Sequence, residues 1–365
     1  MEHSLKKPEY ILVTALGRSD AGVTQYAAAI LSEMEQNRQL KLNVCISRFA
    51  QFKWYNKLPQ LRYFSIFTYR NKLEFILSSV TVYPILLLSF FISLVFNRYQ
   101  KLYLPYFHHW DLGFIWLFRL FGKKVVYTVH DGIMHYGEED RLGQWIMLKS
   151  VAAATEVIFL TEAVKNRVLP QIKTKATFHV IPHGIFELDG IQFAKPYVEK
   201  PVLLFIGRIS RYKGIELLLE ALEQIDPALY DKCIIAGKSN YPIFPKLTPQ
   251  IEFIDKYLSE DEIVSYLNQS HIMIMPYLEA SQSGVATLAI AAEMPVVACS
   301  VGGLPEQLSD GAIWVRPDVQ SLAQGIKSIL GNEAYYLRLQ KNLAKIRKET
   351  EWKNITAQIT KTIMT

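Results

Sequence analysis

Cysteine is scarce in this chain, with three in 365 residues, and Cys45, Cys233 and Cys299 each sit alone inside an apolar, strand-like run. An odd number without paired spacing excludes a disulfide framework and reads as reduced, buried thiols in a reducing compartment. His179-x3-His183 is the one His-x3-His spacing, and it falls at the end of an extended strand beside Pro182 rather than along a helix face, so no metal is expected. Nothing sets a thiol beside a base, which leaves Cys–His nucleophilic chemistry without support. Short repeats and low-complexity segments are lacking. Half of the residues are hydrophobic and the net charge is only +6, which excludes a disordered chain. The start leads directly into a strand at Tyr10–Val13 rather than into an apolar leader, so no secretory signal is expected.

Acidic residues are nearly missing from one stretch. Between positions 36 and 110 Glu74 stands alone, against Arg38, Lys41, Arg48, Lys53, Lys57, Arg62, Arg70, Lys72, Arg98 and Lys101. Aromatic side chains are interleaved with these cations. Phe75 to Phe96 then runs for 22 residues without a charge. That length could span a bilayer. Serines and Pro84 interrupt the run, however, and strands of one α/β half lie on both sides of it. Three accounts stay open: a core helix, a spanning helix, and a helix lying in a membrane interface. A basic, aromatic flank beside an apolar helix suits an anionic leaflet best. No nucleic-acid module accompanies the basic charge, so nucleic acid is not expected as a partner.

What is present is a repeated strand, glycine turn and helix, once from Tyr10 and again from Val202. Two Rossmann-like halves explain that pattern, and 365 residues suffice for two domains. The run Leu203-Leu-Phe-Ile-Gly-Arg-Ile-Ser-Arg-Tyr-Lys-Gly-Ile215 is the most informative. Its strand ends at Gly207-Arg208, and a polar turn delivers Lys213-Gly214 to an apolar-periodic helix. A planar donor fork and a mobile point charge at a strand's carboxyl end suit phosphate oxygens. A solvated basic turn is the plain alternative. Further on, Glu279-Ala-Ser-Gln-Ser-Gly-Val285 precedes another helix. Small residues at Ser283 and Gly284 would let its backbone amides, through Val285, come close to a ligand. Pro295-Val-Val and Gly302-Gly-Leu-Pro-Glu306 follow.

This ordered set resembles the retaining GT-B glycosyltransferases of family 4 over most of residues 180–330 and more weakly in the N-terminal half. The resemblance implies two Rossmann-like domains facing across a cleft. The first would be residues 1–185, holding the acceptor and facing a membrane, and a linker would occupy 186–201. Residues 202–345 would bind the nucleotide sugar, and 346–365 would return to the first domain as a helix, with Trp352, Ile355 and Ile359 as its docking face. The family's two Glu, eight positions apart, fall without gaps on Ala280 and Leu288. Glu279, one position away from the first, is the candidate replacement for the donor-sugar contact. The ribose-holding second Glu has no counterpart.

His130 and Asp131 end the strand Lys124–Val129 and resemble the family's Thr-x-His-Asp, whose histidine touches donor-sugar hydroxyls. Gly22, with Val23, corresponds to its loop over the donor phosphates. His108, His109 and Asp111, after another strand, are candidates for the acceptor side. The activity implied is sugar transfer from a nucleotide-diphosphate sugar to a lipid-linked or saccharide acceptor in polysaccharide or O-antigen assembly. The expected setting is peripheral, at the cytoplasmic face of a bacterial inner membrane, without metal or cofactor. Two alternatives stand beside it: a sugar-nucleotide epimerase of the same fold, and a non-catalytic subunit that binds nucleotide sugar or lipid.

Overall fold

The structure is a computed structural model and describes residues 9–17, 22–50, 61–132, 140–186, 188–243 and 248–365. It divides into two α/β units. The first takes the described residues up to 132 together with 140–182 and 352–365, and the second takes 183–351.

In the first unit the order is β1 (Glu9–Ala15), α1 (Gly22–Glu35), β2 (Leu40–Ser47), β3 (Arg62–Ile66), α2 (Lys72–Val80), α3 (Val82–Val95), β4 (Lys101–Leu104) and α4 (Asp111–Leu120). Then come β5 (Lys124–Val129), α5 (Arg141–Ala153), β6 (Glu156–Phe159), α6 (Glu162–Val168) and β7 (Thr177–Val180). The described strands form one parallel sheet in the order β3-β2-β1-β4-β5-β6-β7. Helices cover both faces of such a sheet, which is why β5 reads as an unbroken buried run, Val125 to Val129. One face packs on α1 and on the C-terminal helix Trp352–Met364, where Ile355, Ile359 and Ile363 are fully buried. Trp352 closes that contact edge-on against Tyr26, with ring centroids 5.5 Å apart. The other face packs on α3, α4 and α5.

The 22-residue apolar run is not one helix. Asn71 caps α2 by accepting from the Glu74 amide, the chain bends by 41° at Thr81, and α3 begins. Only Leu86, Phe90 and Leu94 of α3 are buried, a stripe at i, i+4, i+8. Ile85, Leu88, Ile92, Val95 and Phe96 stay exposed, as do Leu73, Ile76, Leu77 and Val80 on α2. No single helix among the described residues is long and apolar enough to cross a membrane, whereas the bent pair α2–α3 is so by length and composition together. As a core helix the segment would have buried far more of this surface. Each large apolar side chain left half exposed forgoes about 1 kcal/mol of burial.

The second unit runs β8 (Leu203–Ile206), α7 (Ile215–Glu223), β9 (Cys233–Ala236), β10 (Ile251–Ile254), α8 (Glu260–Gln269) and β11 (Ile272–Met275). It continues through α9 (Gly284–Ala291), β12 (Val296–Cys299), α10 (Leu304–Leu308), β13 (Ala312–Val315), α11 (Val319–Ile329) and α12 (Glu333–Glu349). Its parallel sheet has the order β10-β9-β8-β11-β12-β13. Strand order therefore reverses between β8 and β11 here, and between β1 and β4 in the first unit. Open α/β sheets form a crevice at the carboxyl ends of strands at such a switch point.

Candidate functional site

In the second unit the switch point gathers the Gly-Arg-x4-Lys-Gly run and the small-residue loop. Gly207 ends β8 at φ +113°, and a Cβ there would come within 2.9 Å of Val285 Cγ2 at the start of α9. Arg208 follows, exposed at the rim. A 3-10 turn, Arg211–Lys213, leads to Gly214, whose left-handed backbone (φ 69°, ψ 37°) starts α7. A Cβ on Gly214 would sit 2.0 Å from the Pro276 carbonyl oxygen, so only glycine lets this turn press on the end of β11. The Leu278 amide donates to the Tyr212 carbonyl at 2.7 Å and ties the two loops together. Lys213 then lies with Nζ 3.6 Å above the ring centre of buried Tyr277. Burial pushes the Tyr277 phenol well above its ordinary value, so the ring stays neutral beneath the ammonium.

The loop after β11 is built without charge at its deepest points. Ala280 and Leu288, which occupy the two expected carboxylate positions, are both buried in the apolar core. Glu279 is half-buried at the loop's outer side. Ser283 is fixed by an amide clamp: its N–H donates to Gln307 Oε1 and its carbonyl accepts from Gln307 Nε2, both at 3.0 Å. Helix α9 is apolar all round because six of its eight residues are buried, leaving its first turn as the accessible part. The Gly284 and Val285 amides have no partner within the helix and carry the positive end of its dipole. Arg208, Lys213 and Ser283–Val285 thus belong to loops of one switch point, where two cations and a helix N-terminus are of the kinds that suit an anion. Gln307 was not legible as part of this group, because an amide 24 residues away from its partner has no local signature.

In the first unit the corresponding ends hold the other candidates. Gly17, after β1, donates its N–H to the Tyr106 hydroxyl at 2.9 Å, linking the switch-point strands. Gly22 is the exposed first residue of α1; the preceding loop residues Asp20 and Ala21 lie outside the described residues. His130 is buried at the end of β5, with Nε2 2.9 Å from the Pro105 carbonyl and its ring edge-on to Tyr26 at 4.6 Å. A carbonyl only accepts, so Nε2 carries the proton and Nδ1 is the acceptor nitrogen. Burial lowers the His130 pKa, keeping the imidazole neutral at pH 7. Asp131 beside it is exposed.

His108, His109 and Asp111 stand together, but their polar groups serve one another and the fold. Asp111 is fully buried at the head of α4 and accepts from the His108 amide at 2.6 Å; burial raises its carboxyl pKa well above the usual range. His108 Nδ1 accepts from the Trp110 amide at 3.2 Å. His109 spends both ring nitrogens, one on Tyr69 Oη at 2.9 Å and one on Asp140 at 2.7 Å. Asp140 also caps α5 through the Gly143 amide. Through His109 the trio forms a clasp between the segment before α2 and the head of α5. The proximity of Tyr69 and Asp140 depends on folding and has no signal in sequence.

Comparison with known proteins bears on the fold. Residues 200–332 match the family model described as Glycosyl transferases group 1. An uncharacterized glycosyltransferase of Methanocaldococcus jannaschii is 24% identical over 247 residues, 61% of this chain and 63% of that one. The Staphylococcus aureus capsular polysaccharide biosynthesis glycosyltransferase CapM is 23% identical over 208 residues, 50% of this chain and 53% of its own length. The match thus spans less than two thirds of either relative. Among solved structures, Anabaena HepE in complex with UDP and glucose superposes with a TM-score of 0.75 at 16% identity, covering 98% of this chain and 99% of HepE. At that identity the likeness is one of fold. The chain has the GT-B fold, and residues 200–332 are similar to the group 1 glycosyl transferases.

Proposed function

From the GT-B fold and the similarity of residues 200–332 to group 1 glycosyl transferases, we propose that this protein is a retaining glycosyltransferase of cell-surface polysaccharide assembly. It moves a sugar from a nucleotide-diphosphate donor to a lipid-linked acceptor while resting on the cytoplasmic face of a membrane. The observation that carries the reading is the meeting of Arg208, Lys213 and the first turn of α9 at the β8–β11 switch point. In the reaction the bond from the anomeric carbon to the diphosphate breaks and a bond to the acceptor oxygen forms on the same face. The departing diphosphate takes the acceptor's proton. Arg208, Lys213 and the amides of Gly284 and Val285 stabilise the charge growing on that diphosphate. His130 is the candidate for contact with a sugar hydroxyl, and Glu279, on the small-residue loop, is the candidate carboxylate for the donor sugar. HepE, described with UDP and glucose, and CapM, named for capsular polysaccharide, support the donor class and the pathway class. The exposed apolar faces of α2 and α3 support the membrane setting.

The test is turnover of a panel of labelled sugar nucleotides with a lipid-linked saccharide acceptor, reading the anomeric configuration of the product. Transfer with retention is expected. Inversion, or isomerisation of the donor without acceptor as an epimerase would give, contradicts the reading. One observation favours a second account, a binding subunit without turnover: buried Leu288 stands where the ribose-holding carboxylate is expected. Nucleotide binding with no transfer to any acceptor would select it.

A further inference from the structure

The outer surface of the α3–α4–α5 layer carries more exposed apolar area than the helix pair α2–α3 accounts for. Helix α4 packs between α3 and α5. It turns Phe114, Ile115 and Phe118 into the core but leaves Trp116 64% and Leu120 76% exposed. Helix α5 does the same, burying Ile146, Met147 and Val151 while Leu142 and Trp145 stand half out of the protein. Phe91 of α3 meets Phe121, just past α4, at 5.4 Å between ring centroids, so the apolar edge continues from one helix to the next. Two large aromatics and two leucines thus stand on the wet sides of helices that are otherwise well packed.

The charge around them selects the occupant. Within α3, α4 and α5 the one acid is Asp111, against Arg119, Arg141 and Lys149; Glu74 lies on α2 and Asp140 caps α5. Glu74 is closed by an ion pair with Arg70 at 2.8 Å, and Asp111 is buried. The cations stay outside: Arg98 and Arg119 are exposed, and the Lys149 ammonium lies 6.0 Å over the Trp145 ring. Trp116, Arg119 and Leu120 also line a groove with Lys173 and Lys175. A second copy of the chain would bring two rims of the same sign together. An anionic lipid leaflet supplies an apolar bed and the opposite charge at headgroup depth, where tryptophan and lysine or arginine anchor best.

We infer that the whole outer face of the α3–α4–α5 layer is a lipid-docking face, laid flat on an anionic leaflet with Trp116 and Trp145 embedded. The inference rests on the membrane reading above and extends it from one hairpin of helices to one side of the first sheet. It fixes how the first unit lies on the bilayer: the α3–α4–α5 side down, the side of α1 and the C-terminal helix in water.

The test uses the full chain with phosphatidylglycerol–phosphatidylcholine vesicles whose acyl chains carry bromine, a quencher of tryptophan fluorescence. Quenching on binding is expected, and most of it should vanish in Trp116→Phe and Trp145→Phe but persist in Trp314→Phe of the second unit. Trp116→Ser with Leu120→Ser should weaken partitioning roughly tenfold, with an unchanged melting temperature because both side chains are exposed. Quenching that survives both Phe variants in a protein that still binds vesicles overturns the face while leaving membrane association intact. No binding to anionic vesicles overturns both. A dimer in solution that Trp116→Ser dissociates, without vesicle binding, assigns the face to a second copy and overturns the lipid assignment.

Discussion

Lys213 Nζ sits 3.6 Å above the ring centre of Tyr277, a residue at the end of the neighbouring strand β11. The contact crosses the switch point and places the ammonium against an aromatic face. That arrangement, with Arg208 five positions earlier, makes the turn after β8 the cationic wall of the site.

Arg208→Ala and Lys213→Ala should each abolish sugar transfer and leave the melting temperature close to wild type, since Arg208 is exposed and Lys213 only partly buried. Tyr277→Leu should reduce transfer less, by loosening Lys213 without removing it. Initial rates beside melting curves check this. Wild-type rates in either alanine variant remove the phosphate assignment.

Gly214→Ala should be costly in stability. The position has φ 69°, and the new methyl would approach the Pro276 carbonyl oxygen at 2.0 Å. A loss of roughly 1–3 kcal/mol is expected from strain of this kind. Chemical denaturation measures it, and an undisturbed midpoint would mean the turn is looser than described.

Gln307→Ala should weaken nucleotide binding by roughly tenfold, the worth of two neutral hydrogen bonds, because Ser283 would lose both partners of its clamp. Gln307→Glu should do at least as badly, since a carboxylate cannot donate to the Ser283 carbonyl. Calorimetric titration with nucleoside diphosphates reads the effect.

Two buried groups in the first unit set opposite pH trends. Burial lowers the His130 pKa, so the unfolded chain binds that proton more readily. Its contribution is present above the ordinary histidine value and is lost as pH falls through the folded one. Burial raises the Asp111 pKa, so its contribution is full below the ordinary carboxylate value and is lost as pH rises through the folded one. Asp111→Asn keeps an acceptor for the His108 amide and removes the charge, and should raise the melting temperature at pH 7. A lower melting temperature for this variant at pH 7 would contradict the assignment.

Much of the second unit was legible in sequence because its signals are local. Strands such as Leu203–Ile206 are short apolar runs closed by glycine, and the glycines at 214 and 302 mark places where one backbone touches another. The first unit was harder. A charge-free run from Phe75 to Phe96 shows no break at Thr81, since the bend follows from packing Leu86, Phe90 and Leu94 on the sheet. The contacts of His109 with Tyr69 and Asp140 had no signal in sequence, because they depend on the fold. The outward turn of Trp116 and Trp145 likewise depends on which side of α4 and α5 the sheet claims.

The central claim is a donor diphosphate held at the β8–β11 switch point. Thermal-shift binding of the purified protein to a panel of nucleoside diphosphates and their sugars tests it most directly. A rise in melting temperature selective for one base and absent in Arg208→Ala is the predicted result. A flat response across the panel from folded protein would contradict it, and would make the cradle a basic turn with no donor to hold.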